Sequence, residues 1–394
     1  MFFPRTARRA ATRHYWSMGT AAVVIAASAI SGCAGAQVPR DDGPHLQRYV
    51  DAITALGVTG VQARAVDDAG RSALAVSGVA ETDTERPVPH NGYFRVASAT
   101  KPMVATVVLQ LAGEGRLSID DSVEAYLPGV VVGTGAGREI DGRRITLRQL
   151  LQNTSGLLDD YPGFDSKAQY YEHRFDTYSR AELIRRAMAV APAFEPGQGW
   201  AYSNTNFLLA ESIIESVTGN SWQVEIEQRI LRPLGMRHSV WPSGSTTLPD
   251  PHARAYSVFP GSDELVDTTE VLDGTENLIS TTADMNTFYR ALLGGKLLRP
   301  TELGEMQRTV DIDDRTELLW PGGKYGLGLV QRPLPCGGEY WGHGGGDAGY
   351  ITSDGVAPDG KRSVVVSQTT ALPEKMIEQE AEASELVAHA LCGT

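Results

Sequence analysis

Lysine is scarce in this 394-residue chain, six residues against 29 arginines, and only three cysteines are present. The basic residues form no cluster beyond the first fifteen positions and the net charge is −13, so the electrostatic footprint of a nucleic-acid binder is absent. The eight histidines are scattered, with no pair at helical ligand spacing, so neither a metal centre nor another cofactor is expected. There is no Gly-x-Ser-x-Gly elbow, no phosphate-binding glycine loop and no internal repeat. The apolar run Gly19 to Ile30 holds twelve residues, short of the roughly 20 that a membrane-spanning helix needs.

That run follows Arg5, Arg8, Arg9 and Arg13, the pattern of a signal peptide. It ends in Ile30-Ser31-Gly32-Cys33, which resembles a bacterial lipobox. Residues 1–32 therefore read as a lipoprotein-type signal peptide, with the lipid on Cys33 and a tether over 33–43; ordinary cleavage and free secretion are the alternative. The expected location is extracytoplasmic, with membrane contact only through the lipid. Removing 1–32 takes away four arginines and no acid, leaving a net charge near −17 (−13 minus 4). Cys336 and Cys392 then remain, and an even count in an oxidising compartment suggests a disulfide, with two buried thiols as the alternative.

One folded domain is read over 44–394. Leu46, Tyr49, Val50, Ile53 and Leu56 have helical spacing. Val61–Val66 and Ala73–Val79 are β-type runs around an Asp67-Asp68-Ala69-Gly70 turn, and a third run, Tyr93–Val96, leads to Ser98. From there helical patterns dominate, forming a lobe over about 105–310. Ser179 opens one helix with a capping box, and another, lined by Phe207, Ala210, Ile214 and Val217, stops at Gly219. Strand patterns return at Tyr325–Arg332, Glu339–His343, Tyr350–Thr352 and Arg362–Gln368, before a helix over Leu372–Leu391. The expected class is α+β: one mostly antiparallel sheet built from both ends of the chain and flanked by helices, with the helical lobe beside it.

Only one lysine, Lys101, has a serine three residues before it. Ser98-Ala99-Thr100-Lys101 lies where a strand pattern meets an apolar helix, and positions i and i+3 share one helix face. Pro102 is tolerated there because a first turn has no backbone donor to lose. A serine hydroxyl is a weak nucleophile until a neighbour takes its proton, which lysine can do and arginine cannot.

Downstream, in order, come Tyr202-Ser203-Asn204 and His343-Gly344-Gly345. The set resembles the penicillin-recognising serine hydrolases, in the branch of class C β-lactamases and D-alanyl-D-alanine carboxypeptidases. Asn153-Thr154-Ser155-Gly156-Leu157, Pro233-Leu234-Gly235-Met236 and Tyr325-Gly326-Leu327-Gly328 match further segments of that family, and Cys336 with Cys392 matches a bridge in some of its carboxypeptidases. The resemblance implies a β-lactamase/transpeptidase-like fold and an acyl-enzyme on Ser98 with Lys101 as base. Tyr202 would relay a proton, and the backbone N–H groups of Ser98 and Gly346 would form the oxyanion hole. Asn204, His343, Gly344 and Gly345 would line the substrate, with His343 supplying positive charge or a hydrogen bond near Tyr202.

The sequence also departs from the carboxypeptidase pattern. Relatives that hold a free terminal carboxylate use hydroxyls where this chain has Gly344 and Gly346, and an arginine where it has Val330. Arg332, two residues on and on the same strand face, is the candidate to compensate. The substrate is expected to be a small molecule or peptide. A D-alanyl-D-alanine carboxypeptidase is expected first, then an esterase, D-aminopeptidase or β-lactamase, and last a β-lactam-acylated binder without turnover.

Overall fold

The computed structural model describes residues 46–272 and 278–393; the signal segment, Cys33 and the tether lie outside the described residues. Helix α1 (Gln47–Ala55) buries Val50 and Ile53 on its one apolar face. Strands β1 (Gly60–Val66) and β2 (Ser72–Gly78) follow as a hairpin. Its turn is closed by the Asp67 carboxylate, which accepts from the Arg71 backbone N–H and guanidinium.

Helix α2 (Lys101–Gly113) is buried along nearly its whole length, as a helix apolar on every side must be. Helix α3 (Asn204–Thr218) ends at Gly219 in the left-handed conformation, and α4 (Thr282–Leu293) is capped by Thr281. The chain then returns to strands: β3 (Val310–Asp311), β4 (Lys324–Tyr325), β5 (Val330–Pro333), β6 (Glu339–Gly342), β7 (Gly345–Asp347), β8 (Tyr350–Val356) and β9 (Ser363–Gln368). Helix α5 (Met376–Cys392) closes the described chain.

The main sheet has the order β2-β1-β9-β8-β6-β5-β4-β3, with β7 also paired to β8. Its pairings are antiparallel, and the N-terminal hairpin joins the C-terminal strands through β1 and β9. Period-two alternation divides neighbouring residues between two cores. Val364 and Val366 pack with Val61, Ala63 and the apolar faces of α1 and α5. Val365 instead joins the larger core with α2, α3 and α4. This is the α+β arrangement expected from the sequence.

Two expectations change in detail. The run Tyr325–Arg332 is not one strand: Gly326 N–H bonds to the Leu329 carbonyl, and the turn separates β4 from β5. A small sheet also joins Thr370–Ala371, Tyr256–Val258 and Leu265–Asp267, within what the periodicity reads as helix and loop. Strands of two or three residues are too short to show a period.

Cys336 and Cys392 form a disulfide across 56 residues of sequence, tying the end of α5 to the turn between β5 and β6. Closing a loop of that size stabilises the fold by about 4 kcal/mol at most on the chain-entropy model.

Candidate active site

Ser98 sits in a tight 3-10 turn, Ala97–Thr100, between the short strand Phe94–Arg95 and α2. It lies one turn before the α-helix itself, and its carbonyl accepts the Lys101 N–H. Ala97 holds φ at 51°. A non-glycine residue in that region costs about 1–2 kcal/mol, a strain that bends the chain sharply just before Ser98.

The geometry brings the expected side chains together. Lys101 Nζ lies 3.0 Å from Ser98 Oγ and 2.8 Å from Asn204 Oδ1, while Tyr202 Oη lies 2.9 Å from Ser98 Oγ. The two hydrogen-bond partners of this nitrogen are neutral, and it also rests 5.4 Å from the centroids of the Tyr202 and Phe207 rings. Ser98 and Lys101 are each 8% exposed, so the nucleophile opens to solvent through a small aperture. Ser98 Oγ therefore has two groups within reach that can exchange protons with it, the geometric requirement for activating a serine.

Asp159 was not legible as part of this arrangement. Its carboxylate accepts from the backbone N–H groups of Asn204 and Thr205, the Ser203 and Thr205 hydroxyls, and Asn204 Nδ2. It thus caps α3 from 45 residues upstream. It also fixes the Asn204 amide, because Nδ2 must face the carboxylate and Oδ1 must face the lysine. A cap supplied from so far along the chain leaves no local pattern. Asn153 gives similar support: its carbonyl takes the Ala201 N–H and its Oδ1 takes the Ser203 N–H, holding the Tyr202-Ser203-Asn204 segment from both ends.

His343 is corrected in role. Its Nδ1 lies 3.0 Å from the Gly344 carbonyl, which can only accept, so Nδ1 carries the hydrogen. Nε2 then accepts from Tyr325 Oη at 2.9 Å. Burial first, and the Lys101 charge second, push the imidazole down to about 3. It is neutral at physiological pH and supplies no positive charge to Tyr202. Its hydrogen bond goes to Tyr325, whose phenol burial holds well above the usual range. The ring is instead walled by Tyr202, Trp320 and Tyr325, with centroids 5.8–6.3 Å away.

Gly344 and Gly345 are required by the backbone. Gly344 has φ +70°, and there the strand breaks between β6 and β7. β6 pairs with β5 on its outer side, whereas β7 is paired only with β8, which leaves its other edge toward the Ser98 turn. A Cβ on Gly345 would lie 2.5 Å from the Val96 carbonyl and 2.7 Å from the Ser98 nitrogen. The Ser98 amide and the free edge carrying Gly346 thus border the same space.

Arg332 does not join this group. Its guanidinium bonds to Glu380 at 2.7 Å and to Ser384 at 2.9 Å, both on α5. Val330 instead packs with Trp200, Trp320 and Tyr325, so Arg332 is held on α5 rather than among the groups around Ser98. Among the described residues no three His, Cys, Asp or Glu side chains gather as a metal site.

Residues 46–388 match the sequence model of the family described as Beta-lactamase. The chain belongs to that family. This β-lactamase-family chain is 29% identical over 293 residues to Penicillin-binding protein 4* of Bacillus subtilis, a match covering 70% of this chain and 60% of the relative. It is 31% identical over 167 residues to Esterase EstB of Burkholderia gladioli, covering 41% of each. The chain therefore spans 60% or less of the length of these curated relatives. Among solved structures, a D-stereospecific amidohydrolase from Streptomyces sp. is similar with a TM-score of 0.75 and 39% identity, covering 85% of this chain and 97% of that one. The fold is β-lactamase/transpeptidase-like, as in the β-lactamase and penicillin-binding protein family.

Proposed function

We propose that the chain hydrolyses amides or esters of D-amino acids through an acyl-enzyme on Ser98, without requiring a free terminal carboxylate on the leaving group. The carrying observation is the lack of groups for that carboxylate: Val330 is apolar, Gly344 and Gly346 have no hydroxyl, and Arg332 is bound to Glu380. The similarity to a D-stereospecific amidohydrolase along nearly its whole length supports the same reading. Ser98 Oγ attacks the acyl carbon as its proton passes to Lys101 or Tyr202. The oxyanion is held by the N–H groups of Ser98 and Gly346, Tyr202 protonates the departing amine or alcohol, and Asn204 holds the acyl side. Water then releases the acid.

A panel on the mature protein tests this, run beside Ser98→Ala. A D-amino-acid amide and a nitrophenyl ester should exceed a D-Ala-D-Ala peptide in kcat/KM by about tenfold or more, the value of one charge-assisted hydrogen bond. A preference for the peptide would establish the second reading, a D-alanyl-D-alanine carboxypeptidase acting on cell-wall peptides, which the match to Penicillin-binding protein 4* favours. Penicillin labelling with no turnover of any substrate would leave only a β-lactam-acylated binding protein.

The lipobox-like Ile30-Ser31-Gly32-Cys33 supports an extracytoplasmic protein anchored by a lipid. Metabolic labelling with a fatty-acid analogue should mark the wild type and not Cys33→Ser; equal labelling of both overturns the anchor.

A further inference from the structure

We propose that Asp354 is a positioning residue of the acyl-transfer site: its carboxylate holds the break between β6 and β7 and thereby sets where the strand edge meets Ser98. The inference rests on the acyl-enzyme reading above and extends it to a residue that does not touch Ser98.

The break needs a device of this kind. β6 pairs with β8 at Trp341 opposite Val356, and pairing resumes only at Gly345 opposite Thr352. Between those points the carboxylate of Asp354, on β8, takes the amides that would otherwise lack acceptors. His343 N–H donates to Oδ1 at 2.8 Å and Gly344 N–H to Oδ2 at 3.2 Å. A third donor comes from the helix packed on the sheet, Tyr289 Oη on α4, 2.9 Å from Oδ2. Asp354 is 7% exposed and Tyr289 fully buried. One side chain therefore fixes the two backbone groups from which the His343 ring and the Gly345–Asp347 edge both depart.

Burial of an ionised carboxylate is costly, and among the described residues Asp354 has no cation as ion-pair partner. A neutral side chain would serve stability as well or better. The charged acceptor is explained by what it holds in place.

The charge also makes the position sensitive to acid. Burial raises the Asp354 carboxyl to about 6, against the opposing pull of its donors, while Glu380 on α5 adds to the rise. The imidazole and the phenols around it stay out of that window. His343 is held down to about 3, and burial keeps the phenols of Tyr289 and of Tyr340 on β6 protonated. Glu380 is engaged by Arg332. As pH falls through about 6, a proton on either oxygen removes an acceptor from a backbone amide or from Tyr289, and the break loosens.

The test is the pH profile of Ser98-dependent nitrophenyl-ester hydrolysis by the wild type, Asp354→Asn and Tyr289→Phe, with Ser98→Ala as blank. Asp354→Asn keeps one acceptor but places an N–H donor against Gly344 or Tyr289. Its kcat should fall about tenfold or more at pH 7.5, with a smaller change in KM, because a displaced oxyanion donor acts in the transition state. The variant should also lack the acid limb, so that the wild-type curve descends toward it below pH 6. Tyr289→Phe removes a donor that favours the ionised form, so its acid limb should move to higher pH. Thermal melts supply an independent sign. The folded carboxyl sits above its unfolded value of 3.8, so its contribution to stability is present in acid and lost as pH rises through about 6. The wild type should therefore gain in Tm on Asp354→Asn as pH falls from 7.5 to 5, while its catalytic advantage shrinks. Unchanged kcat and acid limb in Asp354→Asn, or an unmoved limb in Tyr289→Phe, overturns the proposal. If the wild type itself shows no Ser98-dependent hydrolysis, the site reading fails and takes this inference with it.

Discussion

Lys101→Arg is expected to fold and to lose about 10²–10⁴-fold in the rate of Ser98 acylation, the range of a general base removed. The substitution separates two roles that lysine combines. An arginine keeps the positive charge and most of the stem, but its guanidinium stays protonated and does not accept a proton from a serine. If Lys101 served only to place charge near Ser98, arginine would retain most of the activity. Lys101 Nζ lies 3.0 Å from Ser98 Oγ and is otherwise held by Asn204 Oδ1 and two aromatic rings, with no carboxylate bonded to it. Those neighbours orient the nitrogen toward the serine hydroxyl. Because arginine is bulkier at a site 8% exposed, Lys101→Met serves as the companion variant and should be equally inactive. The measurement is the pre-steady-state burst with a nitrophenyl ester, alongside a melt showing that both variants fold. An arginine variant within tenfold of wild type would remove Lys101 as the base.

Gly345→Ala is the second large effect, expected to cost about 10²-fold or more in kcat while most of the fold persists. The added methyl carbon would lie 2.5 Å from the Val96 carbonyl and 2.7 Å from the Ser98 nitrogen, both backbone atoms that cannot rotate away. Either β7 or the Ser98 turn must therefore move, and a shift of about 1 Å at reacting groups suffices for a 10²-fold loss. Gly346→Ala is the contrast: its added carbon would meet the end of the Ile351 side chain at 3.1 Å, which can yield. The kcat ratio of the two variants on one ester substrate reads the difference. Equal activities would mean that the close approach of β7 to Ser98 carries no catalytic weight.

Much of the site was legible because its chemistry is written in rare residue types at short spacing. Only one of six lysines follows a serine by three residues, and the structure places that pair 3.0 Å apart. Tyr202, Asn204 and His343 were found by order along the chain, and the first two do reach the pair. His343 shows the limit. Its position was readable and its charge was not, since a ring among Tyr202, Trp320 and Tyr325 is neutral for reasons of burial that no local spacing records. Arg332 shows the same limit from the other side. Its place on the strand was readable, but its capture by Glu380 on α5, 48 residues away in sequence, was not. Asp159 and Asp354 carried no signal, because each acts on backbone amides outside its own element, 45 residues away for Asp159 and 10 or 11 for Asp354.

By itself the sequence determined the Ser98–Lys101 pair, the pairing of the two ends of the chain into one sheet, and the absence of a hydroxyl at Gly344 and Gly346 and of a charge at Val330. These are matters of residue identity, periodicity and order, which survive in one dimension. Only the tertiary structure decided the protonation of His343, the capture of Arg332 by Glu380, and the broken strand whose free edge faces Ser98. Burial, charge state and backbone hydrogen-bond partners depend on which surfaces meet, and that is settled only when the sheet, α4 and α5 close around the site.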